Sequence, residues 1–458
     1  MSPLPSTTSK QLIDILRKPL DELPDPLVLV PVPGPFDVSI RPPGSKSLMN
    51  RAVLLAALAE GKSKIFHALL DAQDAKVMIQ ALTQLGARFE LPSSDDGPLI
   101  VHGTGGKLKG GCSLNLENAG TATRFLTAAA CLADAPVVID GNDRMRKRPI
   151  GELIEMLRRL GVTIDELGEP GYVPLRVHPC RPKGSEIEIG ATQSSQYISA
   201  LMMIAPFMED GLTIRFTQPP TSRSYIEMTL QMLTHALPGA PLPLHVTVDP
   251  LVIPNWNTRG FEITIEPDAS GATYFCGAAA ILIESRCVIE GFDLERSAQG
   301  DARFRDVLGA REIDLSLMPD TAQTLASIAC FTDGTTTIRG LRTLRVKETD
   351  RIAALQNELA KIRVMIEPFS YTTKQGTPDE GITITPPSGG VDCSPTALPV
   401  VFDTYDDHRM AMSLALIGLR RPNVAICDPG CVGKTYPAFW RDWSRLYESA
   451  VNCGVPKS

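Results

Sequence analysis

The sequence lacks an excess of positive charge. Its 45 Lys and Arg stand against 52 Asp and Glu, a formal charge of −7, which argues against a general polyanion binder because nucleic-acid-binding domains carry a basic excess. Nor does any run approach the ~18 apolar residues that a membrane span requires. The opening MSPLPSTTSKQLIDILRKPLDELPD holds acids and prolines in place of an apolar signal core. The ten Cys are scattered without a CxxC pair, a pattern of free thiols in a reducing compartment. Cys427 and Cys431 lie four apart, but no second Cys/His pair with ligand spacing accompanies them, so no metal site is expected. These absences point to a cytoplasmic protein with no nucleic-acid or membrane partner. What is present, 43% hydrophobic and 21% charged residues with 36 Gly and 38 Pro, is an ordinary globular composition. Length alone suggests about three domains.

Internal repetition says more than composition. Six times a small polar cluster opens an Ala/Leu/Met-rich stretch, which then leads through a turn into a short apolar run ending in Ile. The stretches begin GSKSLMNRAVLLAAL, NAGTATRFLTAAA, SSQYISALMMIA, DASGATYFCGAAA, PDTAQTLASIA and DDHRMAMSLALIG, and they end at Ile65, Ile139, Ile214, Ile289, Ile338 and Ile426. The first three intervals differ by a single residue. Helices apolar nearly all round belong inside a unit rather than on its surface, so the spacing predicts six copies of one α/β unit. Second, amphipathic helices fall between copies, for example GELIEMLRRLGVTI and DRIAALQNELAKI, where Ile352, Leu355, Leu359 and Ile362 follow helical spacing. The six copies correct the three-domain expectation to two.

Each buried helix opens on residues able to cap it or to bind: Ser45 and Ser47, Asn118 and Thr121, Ser194 and Ser195, Asp268 and Ser270, Asp320 and Thr321, Asp406 and Asp407. N-capping explains any one of them. Several helix starts converging, with Lys46, Arg51, Arg124 and Arg409 beside them, predict an anion receptor for a phosphorylated or carboxylated small molecule. DPGCVGKT (428–435) resembles a P-loop but has Asp428 where the pattern needs Gly. It is read instead as a flexible loop, a lid able to deliver Lys434. Arg144, Arg146, Lys147 and Arg148 form a basic cluster. In RVKETDR, Lys347 and Arg351 lie four apart and are expected on one helical face, with Glu348 a quarter-turn away as a proton carrier.

GSKSLMNRAVLLAAL, NAGTATR, DRMRKRPIGEL, SSQYISAL, PDTAQT, RVKETDRI, DDHRMAM and GKTYPAFW, in this order from about residue 34 to 445, resemble the motifs of the 5-enolpyruvylshikimate-3-phosphate synthase family. The resemblance implies an α/β fold of two domains, an inside-out α/β barrel of the enolpyruvyl transferase type with six βαβαββ-type units. Residues 1–43 and 266–458 would form one domain and 44–265 the other. It implies transfer of the enolpyruvyl group of phosphoenolpyruvate to the 5-hydroxyl of shikimate 3-phosphate, with release of phosphate and no metal or organic cofactor. By the same resemblance Ser47, Arg51, Ser194, Ser195, Gln196, Ser222, Tyr225, Asp320 and Lys347 hold shikimate 3-phosphate. Lys46, Asn118, Gly120, Arg144, Gln196, Arg351, Arg409 and Lys434 bind phosphoenolpyruvate, with Arg144 preferred to Arg148. Asp320 is the candidate base and Glu348 the proton donor, while Lys46 and Lys434 stabilise charge.

The chain also departs from the bacterial and plant pattern. Thr123 and Phe125 flank Arg124 where Met and Pro are usual, and Thr343 stands in place of a substrate-binding Asn. NAGTATRFLT is similar to the corresponding domain of the fungal pentafunctional AROM polypeptide, and the segment from about Ser9 to Lys18 fits a linker from other shikimate-pathway domains. Gly120 predicts inhibition by glyphosate, which is similar to phosphoenolpyruvate. Two alternatives stand beside this reading. UDP-N-acetylglucosamine enolpyruvyl transferase shares the fold but carries a reactive Cys where DRMRKRP has none, and a non-catalytic anion-binding module would have no need of Lys46, Asp320 and Glu348 together.

Overall fold

All six Ala/Leu/Met-rich stretches fold as helices: α1 (Lys46–Leu58), α2 (Gly120–Ala129), α3 (Ser195–Ile204), α4 (Ala269–Ile281), α5 (Ala322–Ala329) and α6 (His408–Gly418). The Ala, Leu and Met that recur in them are strong helix formers, and nearly every residue is buried, as all-round apolarity requires. Truncating one of the central Leu side chains, such as Leu54 or Leu414, would cost about 2–5 kcal/mol. This structure, a computed structural model, describes residues 4–5, 7–94, 96–243, 245–246, 250–293 and 295–453. It divides into two units, Gly44–Glu266 and Met1–Pro43 with Pro267–Ser458, called here the inserted and the outer unit. The first holds α1 to α3 and the second α4 to α6.

Each buried helix is followed by a strand carrying the anticipated Ile: β2 (Lys62–Phe66), β4 (Val137–Asp140), β6 (Leu212–Phe216), β8 (Arg286–Ile289), β10 (Thr336–Arg339) and β12 (Val424–Ile426). Ile65, Ile139, Ile214, Ile338 and Ile426 are fully buried. Four of these strands pair in parallel with the strand just before their helix: β3 (Ser113–Asn115) with β4, β5 (Ser185–Ile189) with β6, β9 (Glu312–Asp314) with β10, and β11 (Val400–Phe402) with β12. Parallel neighbours need a crossover, and the buried helix supplies it. The remaining two exchange partners. β1 (Asp37–Ile40) precedes α1 in sequence but pairs with β8 beyond α4, and β7 (Glu262–Thr264) precedes α4 but pairs with β2 beyond α1. The chain thus leaves the outer unit after β1 and returns after β7, and each unit completes its third βαβ element with a strand from the far side of the excursion. At these crossings the Ser45 N–H donates to the Glu266 carbonyl at 2.8 Å in the inserted unit, and the Asp268 N–H to the Pro43 carbonyl at 2.7 Å in the outer one. Gly44 is required there, because a Cβ would stand 2.5 Å from the His67 carbonyl oxygen.

Among the described residues the four-stranded complement of a βαβαββ unit appears three times, in the sheets built on β2, β4 and β10; the other sheets have three, three and two strands. The amphipathic helices Gln73–Gln84, Gly151–Arg159 and Arg351–Ala360 occupy the second helical position of those three units, and Ile352, Leu355, Leu359 and Ile362 are buried as their spacing requires. The segment from about Ser9 to Lys18 holds the helix Ser9–Leu16, capped by Thr8. Leu12 and Leu16 are fully buried in the same core as Trp443 and Tyr447 of the helix Phe439–Cys453, and Arg17 pairs with Glu448 at 2.9 Å. The loop read as a lid is a 3-10 helix, Pro429–Lys434. Val432 and Lys434 are buried, and the Trp440 indole donates to the Pro429 carbonyl at 2.8 Å. The flanking aromatic residues leave that segment packed rather than loose.

Candidate active site

In the inserted unit the starts of α1, α2 and α3 are tied together by side chains. Arg51, one turn into α1, has an almost fully buried guanidinium. Its Nε donates to Thr229 Oγ1 at 2.7 Å, its Nη1 to the Ser47 carbonyl at 2.8 Å, and its Nη2 to Ser199 Oγ and the Tyr225 carbonyl at 3.2 and 3.1 Å. The same group lies 5.2 Å from the centre of the Phe125 ring. All these partners are neutral, so burial pushes Arg51 down to about 10. Its positive charge is therefore unneutralised by these contacts and favours an anion nearby. From α3, Ser194 caps its own helix by accepting from the Gln196 N–H, and the Gln196 amide donates to Thr121 Oγ1 of α2 at 3.2 Å. Lys46 pairs at 3.1 Å with Asp74, whose side chain is almost fully buried. Arg124 donates to the Gly120 and Pro149 carbonyls at 3.1 and 2.8 Å, and Arg148 donates to the carbonyl and side-chain oxygens of Asn118 at 3.1 and 3.0 Å. A Cβ on Gly120 would stand 2.5 Å from Arg148 Nη2 and 2.7 Å from Arg124 Nη1, so glycine there lets two guanidinium groups approach the start of α2. Neither α1 nor α2 has a side-chain N-cap.

The outer unit gathers its three helix starts differently. Arg351, whose side chain is 1% exposed, donates from Nε and Nη2 to both oxygens of Asp407 at 2.7 and 3.1 Å, from Nη2 to Glu348 at 2.8 Å, and from Nη1 to Asp320 at 2.9 Å. Lys347 reaches the same Asp320 oxygen at 3.1 Å. Arg409 lies 3.5 Å from the other Asp320 oxygen and 3.2 Å from Ser270 Oγ, and Ser270 in turn donates to Asp301. Burial alone would raise the Asp320 carboxyl, but Lys347, Arg409 and Arg351 together hold it well below the usual carboxylate range. Burial pulls the Lys347 ammonium down, against the opposing pull of Asp320. Asp407 also caps α6 through the Arg409 N–H, and the left-handed Tyr405 and Asp406 before it turn the backbone into that cap. Burial raises Asp406, which Lys434 partly offsets.

The site residues expected from sequence divide between the units: Lys46, Ser47, Arg51, Asn118, Gly120, Ser194, Ser195, Gln196, Ser222 and Tyr225 lie in one, and Asp320, Lys347, Glu348, Arg351, Arg409 and Lys434 in the other. Three details differ. Arg148, set behind Arg144 in the sequence reading, is buried against Asn118, whereas Arg144 is half-buried. In the same basic cluster Arg146 is exposed and bonded to Asp140. Lys347 and Arg351 share no helical face, because Lys347 ends the 3-10 helix Arg342–Val346 and Arg351 begins the next helix; they converge on Asp320 across the intervening turn. Glu348 bonds Arg351 instead of pointing away from it. Thr343, in the place of the usual Asn, has a buried hydroxyl without a hydrogen-bond partner.

Asp74 and Asp301 escaped the sequence reading. Asp74 had a signal: it sits with Val77, Met78 and Ala81 on the buried stripe of the helix Gln73–Gln84, and a carboxylate on an apolar stripe needs a partner. Asp301 lies in a 3-10 segment without periodicity. Residues 31–311 and 306–443 match the family model described as EPSP synthase (3-phosphoshikimate 1-carboxyvinyltransferase). The chain belongs to the EPSP synthase family. Curated relatives named 3-phosphoshikimate 1-carboxyvinyltransferase support the assignment. The one from Mannheimia haemolytica is 35% identical over 92% of this chain and 99% of its own length, and the one from Yersinia pseudotuberculosis is 38% identical over 89% and 96%. An EPSP synthase structure from Acinetobacter baumannii aligns with a TM-score of 0.70 at 24% identity, covering 92% of this chain and 97% of that one. The enolpyruvyl transferase NikO from Streptomyces tendae aligns at 0.64 with 17% identity over the same shares. Both show the fold: this chain has the two-unit α/β architecture of enolpyruvyl transferases. No helix among the described residues is long and apolar enough to cross a membrane.

Proposed function

We propose that this chain is a 3-phosphoshikimate 1-carboxyvinyltransferase, moving the carboxyvinyl group of phosphoenolpyruvate to the 5-hydroxyl of shikimate 3-phosphate and releasing phosphate. The observation that carries the reading is the contrast between the two clusters. The inserted unit offers Lys46, Arg51, Arg124 and Arg148 at helix starts lacking side-chain caps on α1 and α2, with Asp74 as a paired carboxylate, the make-up of an anion receptor. The outer unit alternates carboxylates with cations around Arg351, the make-up of proton-transfer machinery.

In this reading Ser47, Arg51, Ser194, Ser195, Gln196, Ser222 and Tyr225 surround shikimate 3-phosphate, with Asp320 and Lys347 at its reacting hydroxyl. Lys46, Asn118, Gly120, Gln196, Arg148, Arg351, Arg409 and Lys434 bind phosphoenolpyruvate, and Arg144 adds charge to the same region. Asp320, kept ionised by its cations, accepts the hydroxyl proton as oxygen attacks the enol carbon. Glu348 delivers a proton to the methylene carbon. An incoming anion that draws Arg351 away from Glu348 lets that carboxylate take up from solvent the proton that it delivers. In the second step Glu348 takes a proton back from the new methyl group, the carbon–oxygen bond to phosphate breaks, and Lys46 and Lys434 stabilise the departing charge. Glyphosate would compete for the phosphoenolpyruvate positions around Gly120. Nine described cysteines are free thiols, which favours a cytoplasmic setting.

The test is direct. Purified protein given both substrates should release phosphate, and Glu348→Gln and Asp320→Asn should each cut kcat by about 100-fold or more with KM changed little. Binding of shikimate 3-phosphate without any phosphate release would refute the enzyme reading. Unchanged kcat with a large rise in KM would make these carboxylates binding groups only.

A further inference from the structure

Asp301 is a carboxyl with no part in the chemistry above, yet it is buried in the outer unit beside the acid–base cluster. It lies on the 3-10 helix Gly300–Val307 and is 5% exposed. One side borders a cavity of about 260 Å³ lined also by Thr273, Cys276, Cys287 and Phe304. On the other side its Oδ2 accepts the Ser270 hydroxyl hydrogen. Ser270 Oγ accepts from Arg409 Nη2 at 3.2 Å, and the same Nη2 lies 3.5 Å from Asp320 Oδ2, while Nη1 is 3.5 Å from the Tyr274 hydroxyl. Of these three contacts of the Arg409 head group, the one to Ser270 is the shortest.

A serine hydroxyl has one hydrogen and two lone pairs. With its hydrogen committed to Asp301, Ser270 must present a lone pair to Arg409; without that acceptor the hydrogen is free to turn toward the guanidinium and end the contact. We propose that Asp301 is a positioning residue that holds Arg409, through the Ser270 hydroxyl, in line with Asp320 and ready for the anionic substrate. This rests on the reading of Arg409 as a phosphoenolpyruvate-binding group. Asp301 touches no reacting atom; it orients the hydroxyl that orients the cation. The charged groups acting on Asp301 are Asp320 and Asp268, which raise it, and Arg409, which lowers it; burial is the largest influence, and the carboxyl is pushed up to about 7.

The experiment varies phosphoenolpyruvate at saturating shikimate 3-phosphate in wild-type protein and in Ser270→Ala, Asp301→Ala, Asp301→Asn and Arg409→Ala, with a thermal melt of each. Ser270→Ala and Asp301→Ala should raise the KM for phosphoenolpyruvate about tenfold with kcat changed less than threefold. The double variant should be no worse than Ser270→Ala, because the two residues act in series. Asp301→Asn, which retains an acceptor oxygen, should restore KM. If Arg409→Ala leaves KM unchanged, the assignment of Arg409 itself is wrong. If Arg409→Ala raises KM but Ser270→Ala does not, the positioning role of Asp301 is refuted while the assignment stands. Should Asp301→Ala melt too low to assay, the KM of Ser270→Ala and of Asp301→Asn decide.

Discussion

Replacing Arg351 by Met removes the cation shared by three carboxylates. Arg351 and Asp407 have side chains 1% and 0% exposed, and Glu348 is 7% exposed, so the charges left behind cannot recover their hydration without distortion. Deleting one partner of a buried pair costs about 3–5 kcal/mol. The loss should stay near that of one pair, because Asp320 keeps Lys347 and Arg409 and Asp407 keeps the Arg409 N–H. About 4 kcal/mol in a unit of this size lowers the melting midpoint by roughly 8–16 °C. The deficit depends on pH with a definite sign. Asp320 is held well below its ordinary 3.8 by Lys347, Arg409 and Arg351, so its contribution to stability is complete above about pH 4 and is lost as the pH falls further. Removing Arg351 brings that carboxyl back toward its ordinary value, and the gap between wild type and variant should narrow below pH 4. Urea unfolding followed by circular dichroism at pH 7.5 and pH 3.5 measures both. A loss under about 1 kcal/mol at pH 7.5, or a gap that widens on acidification, would refute the argument that Arg351 is the counter-ion of this cluster. Arg351→Lys should fall between the two proteins, since an ammonium keeps the charge but not the fork that spans three acceptors.

Asp301→Asn should alter stability in the opposite pH range. A carboxyl raised from 3.8 to about 7 by burial, with Asp320 adding to it, destabilises the fold by up to roughly 4 kcal/mol once it ionises. The variant should therefore match wild type below about pH 4 and gain on it as the pH rises to 8; equal midpoints at pH 8.5 would contradict this. Gly120→Ala places a methyl group 2.5 Å from Arg148 Nη2 and 2.7 Å from Arg124 Nη1. Those are the ends of long side chains that move aside, so the KM for phosphoenolpyruvate should rise about tenfold, with the melting midpoint within ~2 °C of wild type. Lys46→Met removes the ammonium that pairs with Asp74, 2% exposed, at 3.1 Å. It should lose activity by 100-fold or more and also stability by about 3 kcal/mol, and a variant inactive but fully stable would show the pair to be purely functional.

Local patterning carries much of this fold. Six stretches apolar on every side could only be central helices, and Ile65, Ile139, Ile214, Ile338 and Ile426 could close a repeat only as buried strand residues, because each property is written in neighbours a few positions apart. The polar residues opening those helices were equally legible as a set. Which were caps was not: Ser194, Asp268 and Asp407 cap their helices, while Ser45 is buried with its hydroxyl unpartnered. Asp74 was within reach of a closer reading of its helix, but Asp301 was not, since its meaning lies in Ser270 and Arg409.

The sequence by itself determined that this chain repeats one α/β unit six times and that its helix starts are chemically equipped for anions, because periodicity and composition are local. Only the tertiary structure decided that β1 completes the sheet of β8 and β7 that of β2, since strand pairing is settled by partners hundreds of residues away. Likewise only the fold separated a cluster rich in cations from one in which carboxylates and cations alternate. Whether a buried charge finds a counter-ion or a neutral oxygen depends on which helix ends meet, and that is a property of packing.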